Sequence, residues 1–234
     1  YANLGDDAPA RAAFARALEI AADDATLETQ RADVLLTQGG MALGQTTARR
    51  RAHLESGIEL LRRKLPDSHP AILRAVNEIC GLELREAMAA SSHCDDAARR
   101  LDAAKDFEPA LASEVLANQS QRAEQTGDAD AAYRLAIESL AAAEALGTPD
   151  PRWRAYFRLA RLIDQRGDVA LATFFGKKSI ADIERLRRYF VDDDRRFDRT
   201  FLADKVGVYR TVADWLMASG RIDEGLDVLR LLKS

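Results

Sequence analysis

The chain has 234 residues, 47% hydrophobic and 31% charged, with a net charge of -4, the composition of an ordinary globular protein. A mean hydropathy of -0.28, with no unbroken apolar run of about twenty residues, excludes a membrane-spanning helix. Nor does a basic start, an apolar stretch and a small-residue cleavage site mark a secretory leader. Three histidines and two cysteines leave little for metal or acid–base chemistry, and Cys80 and Cys94 make neither a disulfide framework nor zinc-ligand spacing. These counts point to a reducing, cytosolic setting.

Only six of the 34 basic residues are Lys, and 43 residues are Ala, a usage typical of GC-rich bacterial genomes. Ala is the best helix former, and no stretch carries the Val, Ile and Thr density of a strand. The chain therefore reads as all-α. Six prolines, costly inside helices, act as punctuation, most clearly in 66–70 and 147–151. Between them apolar residues recur at helical spacing, as in Ile72, Ala75, Val76 and Ile79, or Tyr156, Leu159, Ala160 and Ile163. In chain order the pattern predicts helices over 8–22, 25–38, 46–64, 70–90, 95–105, 109–126, 128–146, 151–166, 168–190, 196–219 and 221–232. The short connections predict antiparallel hairpins.

The turns repeat. Gly5-Asp6, Gly39-Gly40, Ser91-Ser92, Gly127-Asp128, Gly167-Asp168 and Gly220-Arg221 each separate two predicted helices. Five residues beyond most of them stands a small residue (Ala10, Ala97, Ala132, Ala172, Gly225), which permits close helix approach. Phe14 and Ala17, Leu101 and Ala104, and Leu229 and Leu232 continue that face. Four residues before most of the turns stands a larger apolar group: Tyr1, Leu35, Met88, Ile163 or Leu216. This arrangement resembles the tetratricopeptide repeat (TPR), a helix–turn–helix unit of about 34 residues. The resemblance implies helix–turn–helix repeats stacked into a right-handed superhelical solenoid over 1–234. Tyr1 lies too close to the first turn for a full leading helix and is no initiator Met, so the chain reads as a fragment truncated at its N-terminus.

Residues 170–233 carry a more particular pattern: Ala172 through Ile180, Ile183, Leu186-Arg187, Tyr209, Ala213 through Leu216, Gly220 through Gly225 and Val228 through Lys233. It resembles the last repeats before the CHAT domain of bacterial TPR–CHAT proteins, whose CHAT domains are caspase-like with a His/Cys dyad. The implied role is a sensor or scaffold that regulates or positions an attached protease, itself outside this chain. Eleven of the fifteen aromatic residues follow residue 150, enough to build a firm core or a docking face there.

No enzyme site emerges. His93-Cys94 places a base beside a nucleophile, but in an inter-helix turn without an orienting third group; Asp96 or a neighbour reads as the cap of the next helix. Cys80 reads as a small buried hydrophobe. Asp192-Asp193-Asp194 lacks the alternating ligands and glycine of a calcium loop, and Gly39 through Gly44 lacks the end of a phosphate loop. No cofactor or metal is expected. Residues 1–150 hold 16 basic and 25 acidic residues, net -9, whereas 151–234 hold 18 and 13, net +5. Aspartates interrupt the basic third, including Arg187-Arg188 and Arg195-Arg196, which argues against a nucleic-acid face and for steering of a protein partner or neighbouring domain.

The TPR resemblance implies that the first helix of each pair lines a concave binding face. Carried over by position, that face comprises Glu114, Gln121 and Glu124, then Arg154, Phe157, Arg161, Asp164 and Gln165, then Arg210, Asp214 and Met217. Acids, arginines and a few apolar anchors suit a peptide or protein segment. The Lys/Asn carboxylate clamp of TPR cochaperones is not reproduced, because Phe157 and Arg161 stand in its places. A stand-alone adaptor of a bacterial complex is the alternative, and apolar repeat ends allow self-association.

Overall fold

A computed structural model describes residues 7–22, 24–41, 43–88, 91–103, 109–190, 201–202 and 205–232. Among these residues there is no β-strand. The helices are α1 (Asp7–Ile20), α2 (Glu28–Gly40), α3 (Thr47–Arg62), α4 (Pro70–Arg85), α5 (Ser92–Ala103), α6 (Pro109–Gln125), α7 (Ala129–Leu146), α8 (Pro149–Gln165), α9 (Val169–Phe190), α10 (Val206–Ala218) and α11 (Ile222–Arg230), with a 3-10 turn at Ala25–Leu27. The predicted second helix is thus split at its start. Tyr1, Gly5-Asp6, Ala104, Asp192-Asp193-Asp194 and Arg195-Arg196 lie outside the described residues. Two compact units divide at Leu111 and Ala112.

In the second unit, three hairpins are made in one way. Gly127, Gly167 and Gly220 have φ of 85°, 86° and 77°, a region that favours glycine. Each is flanked by the two hydrogen bonds that close a helix end. Gly127 N and Asp128 N donate to the carbonyls of Glu124 and Ala123, Gly167 N and Asp168 N to those of Asp164 and Ile163, and Gly220 N and Arg221 N to those of Met217 and Leu216. Asp128 and Asp168 then cap the next helix, accepting from Ala131 N at 2.9 Å and Leu171 N at 3.0 Å. The small residues five positions after the glycine are buried: Ala132, Ala172 and Gly225. A Cβ on Gly225 would meet Met217 Cγ at 2.8 Å, and one on Gly176 would meet Val212 Cγ2 at 2.5 Å. Glycine thus sets the approach of α10 to both α11 and α9.

Reciprocal serine bonds tie α6 to α7: Ser113 Oγ donates to Ser139 O at 2.9 Å, and Ser139 Oγ to Ser113 O at 2.8 Å. Trp153, Tyr156, Tyr209 and Trp215 are buried in one core with Leu159, Ile163, Ile183, Val212 and Leu216. Of the residues that carry the more particular resemblance over 170–233, Ala172, Ile180, Ile183, Tyr209, Ala213, Trp215, Leu216 and Val228 are buried in this core. Phe175 is partly buried against this core, whereas Phe174 is 52% exposed.

The first unit follows different local rules. Gly39 and Gly40 do not form a turn; α2 runs through both, and Leu43 and Gly44, beyond its end, have positive φ. Gly39 instead lets α3 approach, because a Cβ there would lie 2.6 Å from Leu54 Cγ and 2.8 Å from Arg50 O. Arg50 then caps α2, donating from Nε to Gly39 O at 2.9 Å and from Nη2 to Gly40 O at 2.6 Å. The cationic side chain satisfies carbonyls that a helix end leaves orphaned.

The α4–α5 connection also departs from expectation. Helix α4 ends at Arg85 rather than 90, and Ala87, not a serine, takes the left-handed position with φ of 58°. Met88 is 46% exposed and does not join the core. Helix α5 begins at Ser92, so His93 and Cys94 lie in its first turn. The capping side chain is Ser91, whose Oγ accepts from Cys94 N at 3.2 Å; Asp96 instead pairs with Arg100 at 2.8 Å. The main correction concerns the cysteines. Cys80 and Cys94 are both fully buried, and they are joined in a disulfide between α4 and α5. Cys80 is therefore not a free buried thiol, and the cysteines no longer support a reducing setting.

Candidate functional site

The residues anticipated on the first-helix faces of the second unit lie at helical spacing on α6, α8 and α10. The structure gathers Glu124, Arg161 and Gln165 into one cluster, organised by an arginine that the sequence reading passed over. Arg158 Nη1 lies 2.8 Å from Glu124 Oε2, and Arg161 Nη2 lies 3.6 Å from Oε1. Gln165 Nε2 donates to Glu124 Oε1 at 2.7 Å, and Arg158 Nε donates to Ser120 Oγ at 3.1 Å. Ser120 Oγ in turn donates to Ala132 O at 2.7 Å, so the cluster is anchored on the α6–α7 hairpin. Arg158 shares the face of Arg154 and Arg161, at i+4 and i−3; that spacing was the signal available for it.

Burial divides the roles. The Arg158 side chain is 13% exposed, that of Arg161 48%, and Arg158 Nη2 has no hydrogen-bond partner. Burial pulls the Arg158 pKa below its ordinary value, as does Arg161, against the opposing pull of Glu124. Burial alone would raise the Glu124 pKa. The Gln165 hydrogen bond and the charges of Arg158 and Arg161 outweigh it, leaving the carboxyl below its ordinary 4.5. A carboxyl depressed in the fold stabilises fully above its unfolded pKa and loses that contribution as pH falls through its folded value. Glu124→Gln should therefore flatten the fall in stability below about pH 4.5. At neutral pH it should cost on the order of 1–3 kcal/mol, because Arg158 loses its counter-charge. Urea midpoints from pH 7 to pH 3 check both signs, and a variant with the parental acid slope contradicts the assignment.

Of the other anticipated residues, Arg154 is engaged by its own helix, 3.3 Å from Asp150 and 4.9 Å above the Trp153 ring. Phe157 and Met217 are partly buried against the core. Gln121 and Asp164 are half-buried, whereas Glu114, Arg210 and Asp214 are exposed. On the opposite side of α8, Tyr156 donates to Glu144 at 2.5 Å. Burial and that carboxylate push the hydroxyl pKa up to about 12, so it remains a neutral donor.

The first unit presents a site of its own that the sequence reading missed. A cavity of about 330 Å³ lies among α2, α3 and α4. Asp33, Leu36, Thr37 and Gly40 of α2 form one wall, and Ala71, Arg74, Ala75 and Glu78 of α4 form another, with Leu54 of α3 also lining it. Both four-residue sets follow the spacing i, i+3, i+4, i+7 of a single helix face. Applying the first-helix rule to the earlier repeats would have found them. Among the described residues no cluster of three or more His, Cys, Asp or Glu side chains could hold a metal ion, and no helix is long and apolar enough to cross a membrane.

No family model and no curated protein matches the chain. Solved structures do. BtubC (BKLC) from P. vanneervenii is 16% identical, with a TM-score of 0.49 over 81% of this chain and 90% of that one. A Podosopora anserina kinesin light chain protein with nearly identical TPR-like repeats is 15% identical, with a TM-score of 0.49 over 88% and 91%. The apo form of the quorum sensor NprR from B. thuringiensis is 13% identical, with a TM-score of 0.51 over 88% of this chain and 64% of that one. At these identities the likeness speaks to fold alone. The chain is an all-α protein built of TPR-like helix–turn–helix repeats.

Proposed function

We propose that this chain is a protein-interaction scaffold that recognises a peptide or protein segment on the first-helix faces of its hairpins. The observation that carries this reading is the α6–α8 face. Half-buried Arg158 holds Glu124 in place, while Arg161 and Gln165 remain exposed on the same cluster. A preorganised charged patch beside half-buried Phe157 offers directional polar contacts around an apolar anchor, the chemistry of segment recognition. Arg210 and Asp214 extend the polar positions onto α10 and Met217 adds an apolar one. Arg161→Glu combined with Arg210→Glu is expected to weaken an identified partner at least tenfold, by reversing two contacts of roughly 1 kcal/mol or more. Circular dichroism should be unchanged; unaltered affinity removes these residues from the site.

The finer reading makes the chain the sensing arm of a bacterial, cytoplasmic CHAT-type protein, one repeat array over 1–234 whose binding state regulates or positions a caspase-like protease. The motif run in 170–233 supports it. Regulation by binding requires different affinities for two arrangements of arm and protease. A native gene product well above 25.8 kDa, labelled by a cysteine-protease probe outside these residues, is the expected result. A product of this mass that takes no label supports the stand-alone adaptor instead.

A further inference from the structure

We infer that the Cys80–Cys94 disulfide is a reducible clamp that replaces a missing turn glycine and holds one wall of the α2–α4 cavity. The comparison is internal to the chain. At 127, 167 and 220 the hairpin reverses through glycine at positive φ, with no covalent link. The α4–α5 hairpin closes with the same pair of hydrogen bonds, Ala87 N to Leu84 O and Met88 N to Glu83 O. There the left-handed position is filled by Ala87 at φ of 58°, a conformation that disfavours residues with a Cβ. This is also the hairpin that carries the disulfide, bridging residues 14 apart.

The surroundings make the clamp a local device. Cys80, Leu84 and Cys94 form a small buried cluster of their own. Next to it lies Glu83, 5% exposed. Its carboxylate accepts from Ser91 Oγ, contacts His93 Nδ1 at 3.1 Å and lies 3.5 Å from Arg51 Nη1 of α3. The contacts from Ser91 and His93 come from the far side of the α4–α5 connection and depend on the hairpin staying closed. Two residues before Cys80, Glu78 ends the α4 wall of the cavity, preceded by Ala75, Arg74 and Ala71. Opening the hairpin frees α5 and loosens α4 along that wall, whatever the cavity binds.

The chemistry is thiol–disulfide exchange with a dithiol. One thiolate of the reductant attacks a cystine sulfur and releases the other cysteine as thiolate. Its second thiolate then attacks the mixed disulfide, forming the reductant's own disulfide while both cysteines take up protons. Because both sulfurs are buried, the exchange proceeds through local opening of the hairpin.

Amide hydrogen exchange on the full chain tests the clamp, before and after dithiothreitol. Oxidised protein isolated without reductant should be lighter than the reduced chain by two hydrogens. Loss of a loop of this length should raise the opening equilibrium of α4 and α5 about a hundredfold, with α8 and α9 unchanged. Cys80→Ser with Cys94→Ser should reproduce the reduced pattern, and Ala87→Gly should offset part of the increase in reduced protein. Equal exchange in both redox states overturns the inference, as do free thiols that glutathione disulfide fails to close. An Ala87→Gly chain indistinguishable from the parent when reduced overturns the glycine replacement.

Discussion

Gly39→Ala lowers stability by about 1–3 kcal/mol, the cost of overpacking a close helix contact, whereas Gly40→Ala raises it by up to about 1 kcal/mol. The two glycines are neighbours in sequence and both lie in α2, so helix propensity alone predicts the same gain for each. Space decides otherwise. A methyl on Gly39 would enter both Leu54 and the Arg50 carbonyl of α3, and a backbone oxygen has no rotamer through which to escape. A Cβ on Gly40 would meet nothing within 4 Å. Gly57 makes the opposite contact, since its Cβ would lie 2.7 Å from Leu36 Cδ2. Urea unfolding of the two alanine variants reads the signs, and a Gly39→Ala protein more stable than the parent would contradict the close α2–α3 packing.

The second large effect lies in the last hairpin. Leu216→Ala should cost about 2–5 kcal/mol through lost transfer energy and a residual cavity. Leu216 is fully buried, and its carbonyl closes the α10 terminus by accepting from Arg221 N at 2.9 Å. Leu226→Ala, ten residues on, should change stability by less than about 1 kcal/mol, because that side chain is 41% exposed. Thermal unfolding separates the two cases. Equal losses would mean that α11 buries its outer side as well, against the exposure of Ile222 and Leu226.

These contrasts mark where sequence reasoning succeeded and where it stopped. Gly127, Gly167 and Gly220 were legible because each turn is a local matter: the glycine and the small residue five positions on, with an aspartate cap after the first two, lie within one stretch of chain. Gly39 was misread as the same signal, because a glycine selected for a close helix crossing looks identical to one selected for positive φ. Ala87 was invisible for the converse reason, since an unfavourable conformation is sustained by contacts from elsewhere. The cysteine pairing likewise depends on α4 and α5 lying side by side, which spacing 14 does not reveal.

The candidate site divides in the same way. The TPR resemblance, carried over by position, pointed to Glu124, Arg161 and Gln165, but it passed over Arg158, a charge on the side of α8 that turns inward, where charges are rarely placed. Its burial becomes tolerable only when Glu124 and Ser120 arrive from another helix. The α2–α4 cavity was missed because the first-helix rule was applied only to later repeats, where aromatic and basic residues drew attention.

The most direct test of recognition through first-helix faces is photo-crosslinking in the native host, with benzoylphenylalanine in place of Phe157 on α8 or of exposed Arg185 on α9. A discrete partner captured from position 157, lost on adding Arg161→Glu with Arg210→Glu and absent from position 185, is the result this account predicts. The same partner captured only from position 185 would place recognition on the second helices and contradict it.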